Sequence, residues 1–263
     1  MDHLDHFNVL DNAQHGFRQK RSCETQLITT LNDFTNCLNN KQQIDAVLLD
    51  FSKAFDKVDH AGLLTKLKHL GINNALLSWI ESFLTGRTQQ VVVDGSESSP
   101  KPVLSGVPQG TVLGPLLFLI YINDIGHSLS QGTKIRLFAD DSLLYRVIKS
   151  KEDGLLLQKD LDALQKWEVT WKMEFHPQKC QLLRITNKVN FIKSSYSIHG
   201  FTLEETSSAK YLGITIDSKL NWKDQIKSTI KKSNRSLAFL RRNLRKCPRR
   251  VKAECYKTPV RTS

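Results

Sequence analysis

Asp140 and Asp141 are adjacent carboxylates inside an otherwise apolar stretch, LFADDSLLYR, Leu137 to Arg146. Ile135, Leu137 and Phe138 lead into them, and Leu143, Leu144, Tyr145 and Val147 follow, a pattern that predicts two strands joined by a tight turn. Two like charges in a half-buried turn resist joint ionisation, and a bound divalent metal relieves them. The same pair also suits an exposed polar turn, since Asp readily bonds its own backbone. A third carboxylate, Asp50, ends the apolar run Ala46 to Leu49 within IDAVLLDFSKAFDKVDH. The C-terminal end of a buried strand is where open α/β sheets place functional groups. If Asp50 and the Asp140–Asp141 turn share a sheet, three carboxylates converge. Oxygen ligation without His or Cys suits Mg²⁺, with Mn²⁺ as the alternative. Two such ions about 4 Å apart serve in-line phosphoryl transfer. A polymerase and a two-metal nuclease both fit these carboxylates.

Other segments bear on that choice. Ser105 to Gly110 is a Gly/Pro/Gln loop leading into a long apolar helix, and Gln109 offers both a donor and an acceptor at its mouth. Gly16 to Arg21 is a basic loop opening a helix from about Ser22 to Asn39, with Ser22 as N-cap; such a start is a phosphate site in many proteins. A nucleotide-selecting loop and a phosphate-binding loop favour polymerisation over strand cutting.

Further elements follow from periodicity. Leu63, Leu64, Leu67 and Leu70 mark one helix, and Leu76, Leu77, Ile80, Phe83 and Leu84 another. Gln89–Val93 and Glu97–Leu104 read as a hairpin around Asp94–Gly95. Leu155 to Trp171 is amphipathic. Cys180–Ile185, Tyr196–Phe201 and Lys210–Ile216 read as strands, and Trp222 to about Lys246 as a basic helix. His176 and Cys180 read as structural. Asp56 and Asp59 read as polar residues around a helix start.

The chain has 263 residues and a net charge of +12. From Ser218 onward there are 15 Lys and Arg against two acids, Asp224 and Glu254, leaving the first 217 residues at −1. A near-neutral body with a basic tail points to a polyanion partner at that end. Five scattered cysteines without a CxxC pair argue against a disulfide framework and for a reducing, intracellular compartment, nuclear or cytoplasmic. The N-terminus is not a signal peptide. The longest apolar run, Val112–Ile122, falls far short of the ~20 residues of a membrane span, so no membrane partner is expected. Nothing in the sequence fixes an oligomeric state.

In chain order, QHGFRQKRS, LLDFSKAFDKVDH, LSGVPQGTVLGPLLFLIYINDI, LFADD, FHPQKC and YLGITID resemble the motifs of the reverse transcriptase domain of LINE-type non-LTR retrotransposons, and more distantly those of group II introns. The resemblance runs from about Gln14 to Asp217, and six ordered motifs make it specific. It implies a right-hand α/β polymerase palm: a central antiparallel sheet with helices on one face. It further implies an RNA-directed DNA polymerase using an RNA template, a DNA primer, dNTPs and two Mg²⁺ ions. By resemblance, Asp50 and Asp140 bridge the metals, Asp141 is the adjacent acid, and the Phe51 carbonyl is a further ligand. Phe55 matches the steric gate against a ribose 2′-hydroxyl, Gln109 and Gly110 the loop lining the nucleotide, and Arg18 a residue near the triphosphate. Lys179 matches a proton donor to pyrophosphate, and Tyr211, Leu212 and Gly213 the primer-grip hairpin. Family members begin further upstream and continue further downstream. The implied organisation is therefore a fingers remnant over 1–43, a palm over 44–217 and a basic thumb stub over 218–263. A catalytically inactive remnant that only binds nucleic acid has the same sequence features.

Overall fold

The computed structural model describes Leu4, Phe7 and residues 9–257. Its compact units divide between Thr206 and Ser207.

The first unit is built on a five-stranded sheet in the order β11-β8-β1-β7-β6. The strands are β1 (Gln43–Leu49), β6 (Thr133–Phe138), β7 (Asp141–Val147), β8 (Gln181–Thr186) and β11 (Glu204–Thr206). All pairs are antiparallel except β11 with β8, which is parallel. Strand β1 is central, and six of its seven residues are buried. That burial reflects cover on both faces, the usual reason a strand reads as a continuous apolar run. Helix α1 (Cys23–Asn39) lies on one face. There Phe34 packs edge-on against Tyr145, ring centroids 5.4 Å apart, and Asp33 pairs with Arg136 at 2.9 Å and Lys134 at 3.0 Å. The opposite face of the sheet, with Val47, Leu49, Leu144 and Leu182, enters the main core. That core also takes α2 (His60–His69), α3 (Asn74–Leu84), α4 (Leu113–Ile122) and α5 (Lys151–Trp171). Helices thus cover two faces rather than the expected one. Alternating apolar positions on β1 and β7 supply a second buried surface, and α1 is amphipathic enough to cover it.

The Ser22 cap matches the expected helix start, whereas α5 begins at Lys151, four residues before the expected Leu155. Ser22 caps α1 in a reciprocal box with Thr25, Asp59 caps α2 by accepting from the Gly62 N–H, and Ser150 with Asp153 opens α5. Capping supplies the orphan N–H groups of a first turn.

Three expected strand regions differ; one of them, Lys210–Ile216, is not a single strand but a hairpin that turns at Leu212–Gly213, both at positive φ. Residues 88–102 form two short ladders, β2 (Thr88–Gln89) with β5 (Lys101–Pro102) and β3 (Val92–Val93) with β4 (Ser96–Glu97). These strands are exposed, so no buried face holds a longer register. Tyr196–Phe201 is not one strand: β9 (Ser197–Ile198) turns at His199–Gly200 into β10 (Phe201–Thr202), with both turn residues at positive φ.

In the second unit, β12 (Ser208–Tyr211) and β13 (Ile214–Asp217) form a hairpin. Its turn residues Leu212 and Gly213 have φ of 46° and 85°, the geometry whose twist suits a two-residue loop. Helices α6 (Lys223–Asn243) and α7 (Arg249–Lys257) follow. Neither contains a buried residue, and Trp222, Ile226 and Ile230 stay exposed. No described helix is long and apolar enough to cross a membrane. All five cysteines are free.

Candidate active site

The register of β1 with β7 brings the carboxylates together. Leu49 stands opposite Ser142, so Asp50, the next residue, stands beside Asp141. The β6–β7 hairpin pairs Phe138 with Asp141, leaving Ala139 and Asp140 as its turn. Partial loss of hydration first, then the like charges of Asp140 and Asp50, push the Asp141 carboxyl above its ordinary range. The three acids therefore sense one another.

The FHPQKC segment cradles Asp50 from the other side. The His176 N–H donates to the Asp50 carbonyl at 2.7 Å, and the Asp50 N–H donates to Cys180 Sγ at 3.5 Å. Burial pushes the Cys180 thiol up to about 11, so it stays protonated and inert. Lys179 Nζ lies 3.9 Å from an Asp50 carboxylate oxygen. Phe175 pairs with Phe51 as an isolated antiparallel bridge and stacks on its ring at 4.4 Å. The bridge is closed by Ser52 donating to Glu174 and His176 donating to Asp50.

Phe55 and the glycine loop form one patch. Phe55 stacks on Phe118 of α4 at 4.2 Å and meets the edge of Phe17 at 6.5 Å. The loop is zipped onto this turn by Val107 donating to the Phe55 carbonyl at 2.9 Å, Gly106 to Val58 at 2.8 Å and Ser105 to Asp56 at 2.8 Å. Gln109 Nε2 donates to Asp56 Oδ1 at 3.1 Å. Gly106 is the residue that this approach requires, because a Cβ there would lie 2.8 Å from Asp56 Cα. Gly110 instead stands in open space at φ 77°.

The QHGFRQKRS segment is placed differently from a simple phosphate loop. Arg18 donates to the carbonyls of Asp11 at 2.8 Å and Leu10 at 3.2 Å. Arg21 donates to Asn12 and to His15 Nε2. The segment lies against the β6–β7 hairpin: Leu137 donates to Ala13, and His15 to Leu137, each at 2.9 Å. Gln14 and Gly16 touch the Ala139 turn directly, a contact that reading Gly16–Arg21 as a phosphate-binding loop did not foresee. Their only sequence signal was membership of a motif beside Arg18. Tyr211, Leu212 and Gly213 sit in the hairpin of the second unit.

Among the described residues, no group of three His, Cys, Asp or Glu side chains is arranged to hold a metal ion by itself. Magnesium does not need one: it keeps waters and commonly binds one or two carboxylates plus substrate phosphates. The carboxylates of Asp50, Asp140 and Asp141, gathered at this edge by strand register, are an all-oxygen donor set that fits a divalent cation.

The chain was compared with known proteins. Residues 1–216 match the family model described as "Reverse transcriptase (RNA-dependent DNA polymerase)". An RNA-directed DNA polymerase from mobile element jockey of Drosophila melanogaster is 34% identical over 224 residues, 81% of this chain and 24% of the relative. Its counterpart in Drosophila funebris is 36% identical, over 82% of this chain and 24% of its own. A probable RNA-directed DNA polymerase from transposon BS of Drosophila melanogaster is 32% identical, over 89% and 26%. The chain thus spans about a quarter of the length of these curated relatives. Among solved structures, telomerase from Candida tropicalis in complex with a TWJ fragment of telomeric RNA superposes with a TM-score of 0.56 at 11% identity, over 90% of this chain and 40% of that one. Apo telomerase from the same species gives 0.56 at 12% identity, over 83% and 38%. That likeness concerns the fold, which is the right-hand polymerase palm. On sequence, the chain belongs to the reverse transcriptase (RNA-dependent DNA polymerase) family, on the branch of LINE-type non-LTR retrotransposons.

Proposed function

We propose that the chain carries the catalytic palm of an RNA-directed DNA polymerase that extends a DNA primer on an RNA template with dNTPs. The observation that carries this reading is the β1–β7 register, which sets Asp50 beside the Asp140–Asp141 turn. Asp50, Asp140 and the Phe51 carbonyl would hold two Mg²⁺ ions, which when bound favour attack of the primer 3′-OH on the dNTP α-phosphate. Mn²⁺ would serve in their place. Asp141 adds negative charge at the same edge. Lys179, whose Nζ is 3.9 Å from Asp50, would serve as the general acid that protonates departing pyrophosphate. Phe55, fixed from below by Phe118, closes the space of a ribose 2′-hydroxyl. Gln109 and Gly110 line the incoming nucleotide, and Arg18 serves its triphosphate.

In this reading residues 1–43 belong to the fingers, 44–217 to the palm and 218–263 to a basic thumb segment. Tyr211 to Gly213 grip the primer, and the basic helices neutralise nucleic-acid phosphates.

Primer extension tests the proposal. Labelled DNA primer on an RNA template, with Mg²⁺ and dNTPs, is expected to lengthen. Retained, salt-sensitive binding without extension would identify a nucleic-acid-binding remnant instead. Degradation of labelled strand without dNTPs would identify a nuclease.

A further inference from the structure

We propose that Gln14 is a positioning residue for the catalytic turn, its side-chain oxygen holding the Ala139 N–H and thereby the placement of Asp140. This rests on the polymerase reading of the Asp50–Asp140 edge.

Ala139 and Asp140 are the two turn residues of the β6–β7 hairpin, where backbone N–H groups have no ladder partner of their own. Ala139 adopts φ 54°, a left-handed conformation that a residue with a Cβ holds only when its surroundings enforce it. Those surroundings are Gln14 and Gly16. Gln14 is 2% exposed. Its Oε1 accepts from the Ala139 N–H at 2.9 Å and from the Gly16 N–H at 2.7 Å. Both neighbours are donors, so the oxygen end of the amide must face them. Gly16 completes the contact by close approach: a Cβ there would lie 2.4 Å from the Ala139 nitrogen.

Gln14 is itself fixed. It bridges Leu137 in parallel, with hydrogen bonds from Leu137 to Ala13 and from His15 to Leu137. Gln26 Nε2 donates to both the Ala13 and Leu137 carbonyls at 3.3 Å. The N-terminal segment therefore extends the sheet beyond β6, and one side chain reaches from it to the turn. Among the described residues, Gln14 Nε2 has no hydrogen-bond partner. The acceptor is thus the part of the side chain that the turn uses. Groups that orient metal ligands without touching the metal typically affect affinity or activity 10- to 100-fold.

The test compares Gln14→Met, which keeps length and loses the acceptor, with Gln14→Glu, which keeps the acceptor. Three quantities are read on the full chain: exchange of the Ala139 amide by NMR, Mn²⁺ affinity by electron paramagnetic resonance, and kcat and KM in primer extension. Gln14→Met should speed Ala139 exchange at least tenfold while the Leu144 amide of β7 is unchanged. It should weaken Mn²⁺ binding about tenfold and lower kcat about 10- to 100-fold with KM for dNTP unchanged. Gln14→Glu should restore all three. Equal Ala139 protection in Gln14→Met overturns the proposal. So does a loss shared equally by Leu144, or a Gln14→Glu variant as impaired as Gln14→Met. If wild type extends no primer, the polymerase reading fails, yet exchange and Mn²⁺ affinity that depend on Gln14 still uphold the positioning role.

Discussion

Asp50 is the most constrained residue of the site. Its N–H is taken by Cys180, its carbonyl by His176, and its carboxylate faces Lys179. These bonds fix the backbone from which the Asp50 carboxylate projects. Phe55 is held as firmly, between Phe118 and Phe17. Phe55→Val should open the space of a 2′-hydroxyl and cut discrimination against rNTPs at least tenfold, about 1.4 kcal/mol, as read by single-nucleotide incorporation of dNTP against rNTP. His15 makes a different prediction. Burial, then the charge of Arg21, lowers its pKa to about 4. Its Nε2 accepts from Arg21, so the ring is neutral and Nδ1 faces Thr25 Oγ1 at 2.9 Å. Between about pH 6.5 and 4 the unfolded chain binds a proton that the folded chain refuses, so stability falls as pH falls through that window. The melting temperature should drop a few degrees from pH 7 to pH 5, and His15→Gln should flatten that dependence.

At the scale of elements, the site is an edge where four segments meet: the end of β1, the β6–β7 turn, the segment before β8, and the 3₁₀ turn Ala54–Asp56 with its glycine loop. Phe175 joins two of them. It is fully buried and stacks on Phe51. Phe175→Ala should cost about 3–5 kcal/mol, seen as a lower denaturation midpoint. It should lower activity further by loosening the segment that carries Lys179. Much of this edge was legible beforehand. The apolar runs ending in Asp50 and flanking Asp140–Asp141 carry strong strand signals, and the cap residue Ser22 announces its helix. Pairing of β1 with β7 was not legible, because about ninety residues separate them and no local rule sets their register. The cover of both sheet faces was hidden for a related reason: a central strand reads as apolar throughout whichever helix lies on it. The close approach of the loop to Asp56 depends on Gly106 rather than the motif glycine Gly110, a difference visible only from what surrounds each backbone. A buried glutamine such as Gln14 has no periodic signature at all.

In the whole molecule, charge separates a near-neutral first unit from a basic second one. Arg241, Arg242 and Arg245 are exposed on and just beyond α6. Replacing all three by Ala should weaken RNA–DNA duplex binding roughly tenfold and reduce the slope of log K against log salt by about 2, measured by anisotropy across a salt series. Unchanged affinity and slope would remove these helices from the nucleic-acid interface. Under the proposed function, Asp50 and Asp140 act together in nucleotidyl transfer. Single-nucleotide incorporation on a primed RNA template, with Mg²⁺, tests it most directly through Asp50→Asn and Asp140→Asn. Each substitution should lower kcat by about 10³-fold, about 4 kcal/mol, while template–primer affinity stays the same. Full incorporation by either variant would contradict the account.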